Sequence, residues 1–198
     1  MITSVIFDIA QVIVDWDPSR FSKRIPAEDV RALLESDAFA DINHRTDAGM
    51  TIEDAIAEFD TDHPALAPIY RAYIEFFDDS VVGAVPGTSE IVEELLARGV
   101  PTFGLSNWAD ENFHVAERNA PILARLDDLI VSARVGLAKP DPTIFSYACE
   151  RFQVLPAETV MIDDTVRNLE AAATVGLATL HFTGADRLRA DLASLGVL

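Results

Sequence analysis

Three carboxylates, one lysine and a Ser-Asn pair follow short apolar runs or stiff turns in this chain. Asp8 closes Val5-Ile6-Phe7, Ser106-Asn107 closes the run from Val100 to Leu105, and Asp163-Asp164 closes Thr159-Val160-Met161-Ile162. A carboxylate at the end of a buried strand is costly unless it is paired or bound to a metal. Two adjacent acids repel each other unless a cation sits among them, and an oxygen-rich cluster suits Mg²⁺. Lys139 lies in Ala138-Lys139-Pro140-Asp141-Pro142, where two prolines stiffen the backbone. A lysine held this way can present its ammonium to a phosphate or to Asp8. The hydroxyl, amide and backbone N–H groups of Ser106 and Asn107 can bind a phosphoryl oxygen. Taken singly, each has an ordinary alternative. Asp8 can cap a helix or turn, Asp164 can cap the helix beginning near Val166, Lys139 can be a solvated loop lysine, and Ser106-Asn107 can be a plain turn.

The elements that must position these groups alternate. Val5-Ile6-Phe7 reads as a buried strand, and Val12-Ile13-Val14 continues the apolar pattern until Asp15-Trp16-Asp17-Pro18 breaks it. Residues 18 to 79 carry helical signals and no convincing strand. Ala27 to Leu34 places Val30, Leu33 and Leu34 on one face, Thr51 begins a capping box completed by Asp54, and Ala65 to Phe77 is amphipathic. From Val85 onward, helices through Leu96, Pro142–Phe152, Asn168–Val175 and Asp186–Leu195 alternate with strands at 100–105, 129–132, 159–162 and 178–182. That alternation predicts an α/β fold with a doubly wound parallel sheet. Sites in such folds lie beyond the carboxyl ends of the strands, so groups far apart in sequence are expected to converge.

The 198 residues suit one core domain with a modest insertion. A formal net charge of −18 argues against nucleic acid and against anionic lipid as partners, since both need clustered Lys and Arg. A small phosphorylated molecule remains compatible, because one local cation and a metal offset the field. The single cysteine, Cys149, excludes an internal disulfide and reads as a small core residue. The N-terminus Met1-Ile2-Thr3-Ser4 lacks a basic segment, and no apolar run is long enough to span a bilayer, so the cytoplasm is the expected compartment.

Together the four segments resemble the ordered motifs of the haloacid dehalogenase-like (HAD) hydrolases. The matching pieces are Val5-Ile6-Phe7-Asp8, Leu105-Ser106-Asn107, Lys139-Pro140 and Ile162-Asp163-Asp164. The resemblance implies a Rossmann-like core over residues 1–15 and 83–198, with an all-helical cap inserted over 16–82. It implies that Asp8 attacks phosphorus and becomes an aspartyl-phosphate. Ser106 and the Asn107 backbone would hold the transferring group, and Lys139 would neutralise charge. Asp8, the carbonyl of Ala10 and Asp164 would bind Mg²⁺, with Asp163 supporting the metal from the same turn.

One position departs from the pattern. Phosphatases of this kind usually carry a second aspartate two residues after the nucleophile, as acid and base. Here that position is Ala10, followed by Gln11. Gln11 can donate a hydrogen bond to substrate but cannot move a proton at neutral pH. The continuation Val12-Ile13-Val14-Asp15 is similar to the branch of glucose-1-phosphate phosphatases, which tolerates a small residue there, and sugar phosphates are one expected substrate class. A metal-free 2-haloacid dehalogenase and a non-catalytic binder of a phosphorylated ligand or a protein are the alternatives. The dehalogenase pattern has Ser-x-Asn where this chain has Asp163-Asp164-Thr165. In the cap, His44 or Arg45 is expected to face the cleft and read the leaving group, and Trp16 to pack at the hinge or flank the pocket. The cap names no substrate, and nothing in the sequence sets an oligomeric state.

Overall fold

A computed structural model describes residues 1–198. In chain order it runs through β1 (Ser4–Phe7), β2 (Val14–Trp16), α1 (Ala27–Leu34), α2 (Asp37–Asp47), α3 (Ile52–Asp62), α4 (Ala67–Glu75), β3 (Val81–Ala84), α5 (Thr88–Ala97) and β4 (Thr102–Ser106). It continues with α6 (Asp110–Asn119), β5 (Asp128–Val131), α7 (Ser132–Val135), α8 (Pro142–Phe152), β6 (Thr159–Asp163), α9 (Val166–Thr174), β7 (Ala178–His181) and α10 (Ala185–Ser194).

Five strands form one parallel sheet in the order β5-β4-β1-β6-β7. Alternate side chains along each strand point to opposite faces, and the core divides accordingly. Val5, Phe7, Val160 and Ile162 pack on one face with Ile91, Leu95, Phe113 and Leu188 from α5, α6 and α10. Ile6, Met161, Phe103 and Leu105 pack on the other with Ile144, Phe145, Leu169 and Ala172 from α8 and α9. This is the doubly wound arrangement expected from the alternation. Cys149 is a buried free thiol on α8, and burial pushes its pKa up. No helix is long and apolar enough to cross a membrane.

Helices α1 to α4 lie between β2 and β3, which pair antiparallel as a separate ribbon. The ribbon was not anticipated, because strands of three and four residues leave almost no periodic signal. Helix α2 was also not anticipated, although its start has a plain cause: the Ser36 side chain accepts from the Phe39 N–H as an N-cap. Phe39, Ile42 and Thr46 form its buried stripe, diluted by six polar neighbours.

Candidate active site

Asp8 stands one residue past the central strand β1, and its N–H continues the ladder to the Ile162 carbonyl at 2.8 Å. The chain then reverses in a tight turn. Gln11 takes a left-handed conformation (φ 60°), and the N–H groups of Val12, Ile13 and Val14 all converge on the Ile9 carbonyl. The Ala10 carbonyl accepts none of this turn's hydrogen bonds. Asp8 is 5% exposed. Its Oδ1 accepts from the Ile9 N–H at 2.6 Å and lies 2.8 Å from Lys139 Nζ. With Oδ1 held on two sides, Oδ2 is the oxygen left to face the cleft.

Lys139 is 2% exposed and bridges two carboxylates, Asp8 and Asp163, the latter at 2.7 Å. Its backbone is clamped by Asn107, whose Nδ2 donates to the Lys139 carbonyl and whose Oδ1 accepts the Lys139 N–H, both at 2.8 Å. The Asn107 side chain therefore fixes the lysine across the gap between β4 and the loop before α8. Asp163, at the end of β6, is wholly buried and fully engaged. It accepts from Lys139 Nζ, from the Thr165 N–H at 2.8 Å, and from Asn168 Nδ2 at 3.1 Å on each oxygen. Sequence reasoning placed Asn168 on a helix without seeing this role, which needs the Asp163 partner in view.

The electrostatics show a shortage of positive charge. Burial drives the Asp8 pKa up to about 7, against the pull of Lys139, and Asp163 and Asp164 push it further. Asp164 is also raised, by burial and then by Asp163. Burial alone would lower the Lys139 pKa, but the charges of Asp8 and Asp163 hold it above the ordinary value. Oxygens of Asp8, Asp163 and Asp164 lie within 4.8 Å of one another. Three carboxylates facing one ammonium, with an unused carbonyl at Ala10, make an all-oxygen donor set that fits a hard divalent cation. Because Asp163 is already saturated with donors, Asp8, Ala10 and Asp164 are the groups with free lone pairs.

A cavity of about 320 Å³ opens above this floor. Asp8, Ala10, Gln11, Asn107, Lys139 and Asp164 line its base. Gln11 reaches the cavity, but its amide donates to the Trp16 carbonyl, so its donor is spent on the turn. Ser106 ends β4 beside β1, yet it is wholly buried, makes only a 3.5 Å contact to the Asn107 carbonyl, and does not line the cavity. Trp16 both flanks the pocket and sits on the β2–β3 ribbon, with its ring 6.4 Å from that of Trp108.

The expectation for His44 and Arg45 is corrected. Both lie on α2, but on its outer side, and neither lines the cavity. Arg45 bonds Asp41 at 2.9 Å and Glu58 through both terminal guanidinium nitrogens, holding α2 against α3. The helical period turns Asn43 and Asp47, four residues apart, toward the cavity instead. Once α2 is known to be a helix, that assignment follows; as a loop, the segment favoured its cations.

The sequence matches the pattern of the haloacid dehalogenase-like hydrolases over residues 3–176, and the chain belongs to that family. It therefore carries a HAD-like hydrolase domain, and it spans half or less of several of the curated relatives it matches. Among relatives, it is 26% identical over 200 residues to D-ribitol-5-phosphate phosphatase of Bacteroides thetaiotaomicron, covering 94% of this chain and 95% of that one. It is 29% identical over 116 residues to mouse acyl-CoA dehydrogenase family member 10, covering 57% of this chain and only 10% of the mouse protein. Its fold is similar to that of a HAD family enzyme from B. thetaiotaomicron in complex with magnesium and inorganic phosphate. The TM-score is 0.70 at 20% identity, over 93% of this chain and 96% of the other.

Proposed function

We propose that this protein is a Mg²⁺-dependent phosphatase of small phosphate monoesters, sugar phosphates among them, with Asp8 as nucleophile. The observation that carries this reading is the split state of the Asp8 carboxylate. One oxygen is locked by Ile9 N–H and Lys139, which aims the other at the cavity. Oδ2 would attack phosphorus in line, forming an aspartyl-phosphate as the bond to the leaving oxygen breaks. Lys139 offsets charge on Asp8 and on the phosphoryl oxygens, and Asn107 keeps it in place. Water then cleaves the acyl phosphate, returning Asp8 and inorganic phosphate. Asp8, the Ala10 carbonyl and Asp164 would hold Mg²⁺, which when bound screens the nucleophile from its anionic substrate. The family membership and the phosphatase among the similar proteins support the same reaction class.

Ala10 supplies no proton to the leaving group, so esters of acidic alcohols are the expected better substrates. The test is phosphate release from p-nitrophenyl phosphate and from a sugar-phosphate panel. Release should require Mg²⁺ and disappear in Asp8→Asn. Halide release from 2-chloropropionate without metal would replace this reading with dehalogenation.

A further inference from the structure

The floor of the cavity handles a phosphoryl group, and its roof has a different chemistry. Trp16, Tyr70, Tyr73, Phe77 and Trp108 line it as a continuous aromatic wall, with neighbouring ring centroids 5.7–6.4 Å apart. Among these rings stands one charged group, Asp47 of α2. No Arg or His lines the cavity, and its one cation, Lys139, is committed to Asp8 and Asp163. Asp47 has a single side-chain partner, Asn43 Nδ2 at 3.3 Å, and forms no salt bridge. Two residues on, Gly49 (φ 104°) passes close to α7, where an added Cβ would lie 3.2 Å from the Ala133 carbonyl.

Burial raises the Asp47 carboxyl to about 7, with Lys139 only partly opposing it. The phenols of Tyr70 and Tyr73 are raised as well, mainly by burial, and both line the cavity. An entirely apolar leaving group would cover a carboxylate and two phenols without offering any of them a hydrogen bond. A second anion would meet Asp47 and the negative faces of the rings. A cation is favoured by both the carboxylate and the ring quadrupoles. The volume limits the guest to a small one.

We propose that the cavity takes the phosphate monoester of a small amino alcohol, with the phosphoryl group on Asp8 and Lys139 and the ammonium against Asp47 and the aromatic wall. This rests on the phosphatase reading for turnover, while the recognition of the ammonium is separable from it.

The test uses phosphocholine, its uncharged carbon isostere 3,3-dimethylbutyl phosphate, and the neutral polyol ester ribitol 5-phosphate. Binding of each to Asp8→Asn protein with Mg²⁺ is measured by calorimetry, and hydrolysis by the unaltered protein in parallel. Phosphocholine is expected to bind about tenfold tighter than its isostere, a contrast typical of a desolvated cation site. Adding Asp47→Asn should shrink that preference severalfold. Equal or tighter binding of the isostere or the polyol ester overturns the inference, even if all three are hydrolysed. Phosphocholine preference without hydrolysis of any ester, p-nitrophenyl phosphate included, instead overturns the phosphatase reading and leaves the ammonium site standing. The ester comparison with Asp47 intact decides the matter even if the Asp47→Asn protein fails to fold.

Discussion

The floor and the roof of the cavity are built on opposite principles. On the floor the side chains that position the chemistry are tied together: Asp8, Lys139, Asp163, Asn107 and Asn168 bond to one another across four chain segments. On the roof, the aromatic side chains pack on one another while Asp47 has a single side-chain partner. A saturated network fixes geometry, which a reaction common to many substrates needs. An unsaturated wall leaves binding capacity for whatever distinguishes one substrate from another. The contrast predicts that floor mutations will damage chemistry, and folding too where they strand a buried charge, while roof mutations will alter selection.

The largest expected effect is at Asp8. Asp8→Asn should abolish phosphate release from p-nitrophenyl phosphate, while circular dichroism stays native; residual Mg²⁺-dependent release at the original rate would sink the nucleophile assignment. Next is Lys139→Met, which leaves two buried carboxylates facing each other. Breaking a buried pair this way costs about 3–5 kcal/mol, readable as a lower urea midpoint at pH 7, and the loss should shrink at pH 5 as Asp8, whose carboxyl is raised to about 7, takes up a proton. Ala10→Asp tests the missing proton donor. If the site otherwise suits a phosphatase, turnover of alkyl phosphates should rise by about 10²-fold or more, with little change for p-nitrophenyl phosphate.

A pH prediction separates the regions more finely. The Asp47 carboxyl is raised from 3.8 to about 7 in the folded protein. Between those values the folded state holds a proton that the unfolded state has lost, so this group lowers stability as pH rises through that window. Asp47→Asn should flatten part of the decline in melting temperature of the metal-free protein between pH 4 and pH 7. The smallest effect is expected at Arg45→Ala, which removes exposed ion pairs between α2 and α3. A slight loss of thermal stability with unchanged kcat/KM is the expected outcome; a changed substrate preference would return Arg45 to the cavity.

What the sequence by itself determined was the sheet and the order of its motifs. Apolar runs ending in Asp8, Ser106 and Asp163 could only be strands whose carboxyl ends meet, because strand–helix alternation forces parallel crossovers. It also located Lys139 and the substitution at Ala10. Partnership was left to the tertiary structure. That Asn107 grips the Lys139 backbone, that Lys139 reaches Asp163, and that Ser106 lies beneath the cavity surface depend on how separate segments meet, the first two pairs being 32 and 24 residues apart in the chain, for which local pattern carries no signal. The roof was the least legible part. Which of Asn43, His44, Arg45 and Asp47 faces the cleft turns on the helical phase of α2, and a rotation of 100° per residue exchanges the cations for the acid.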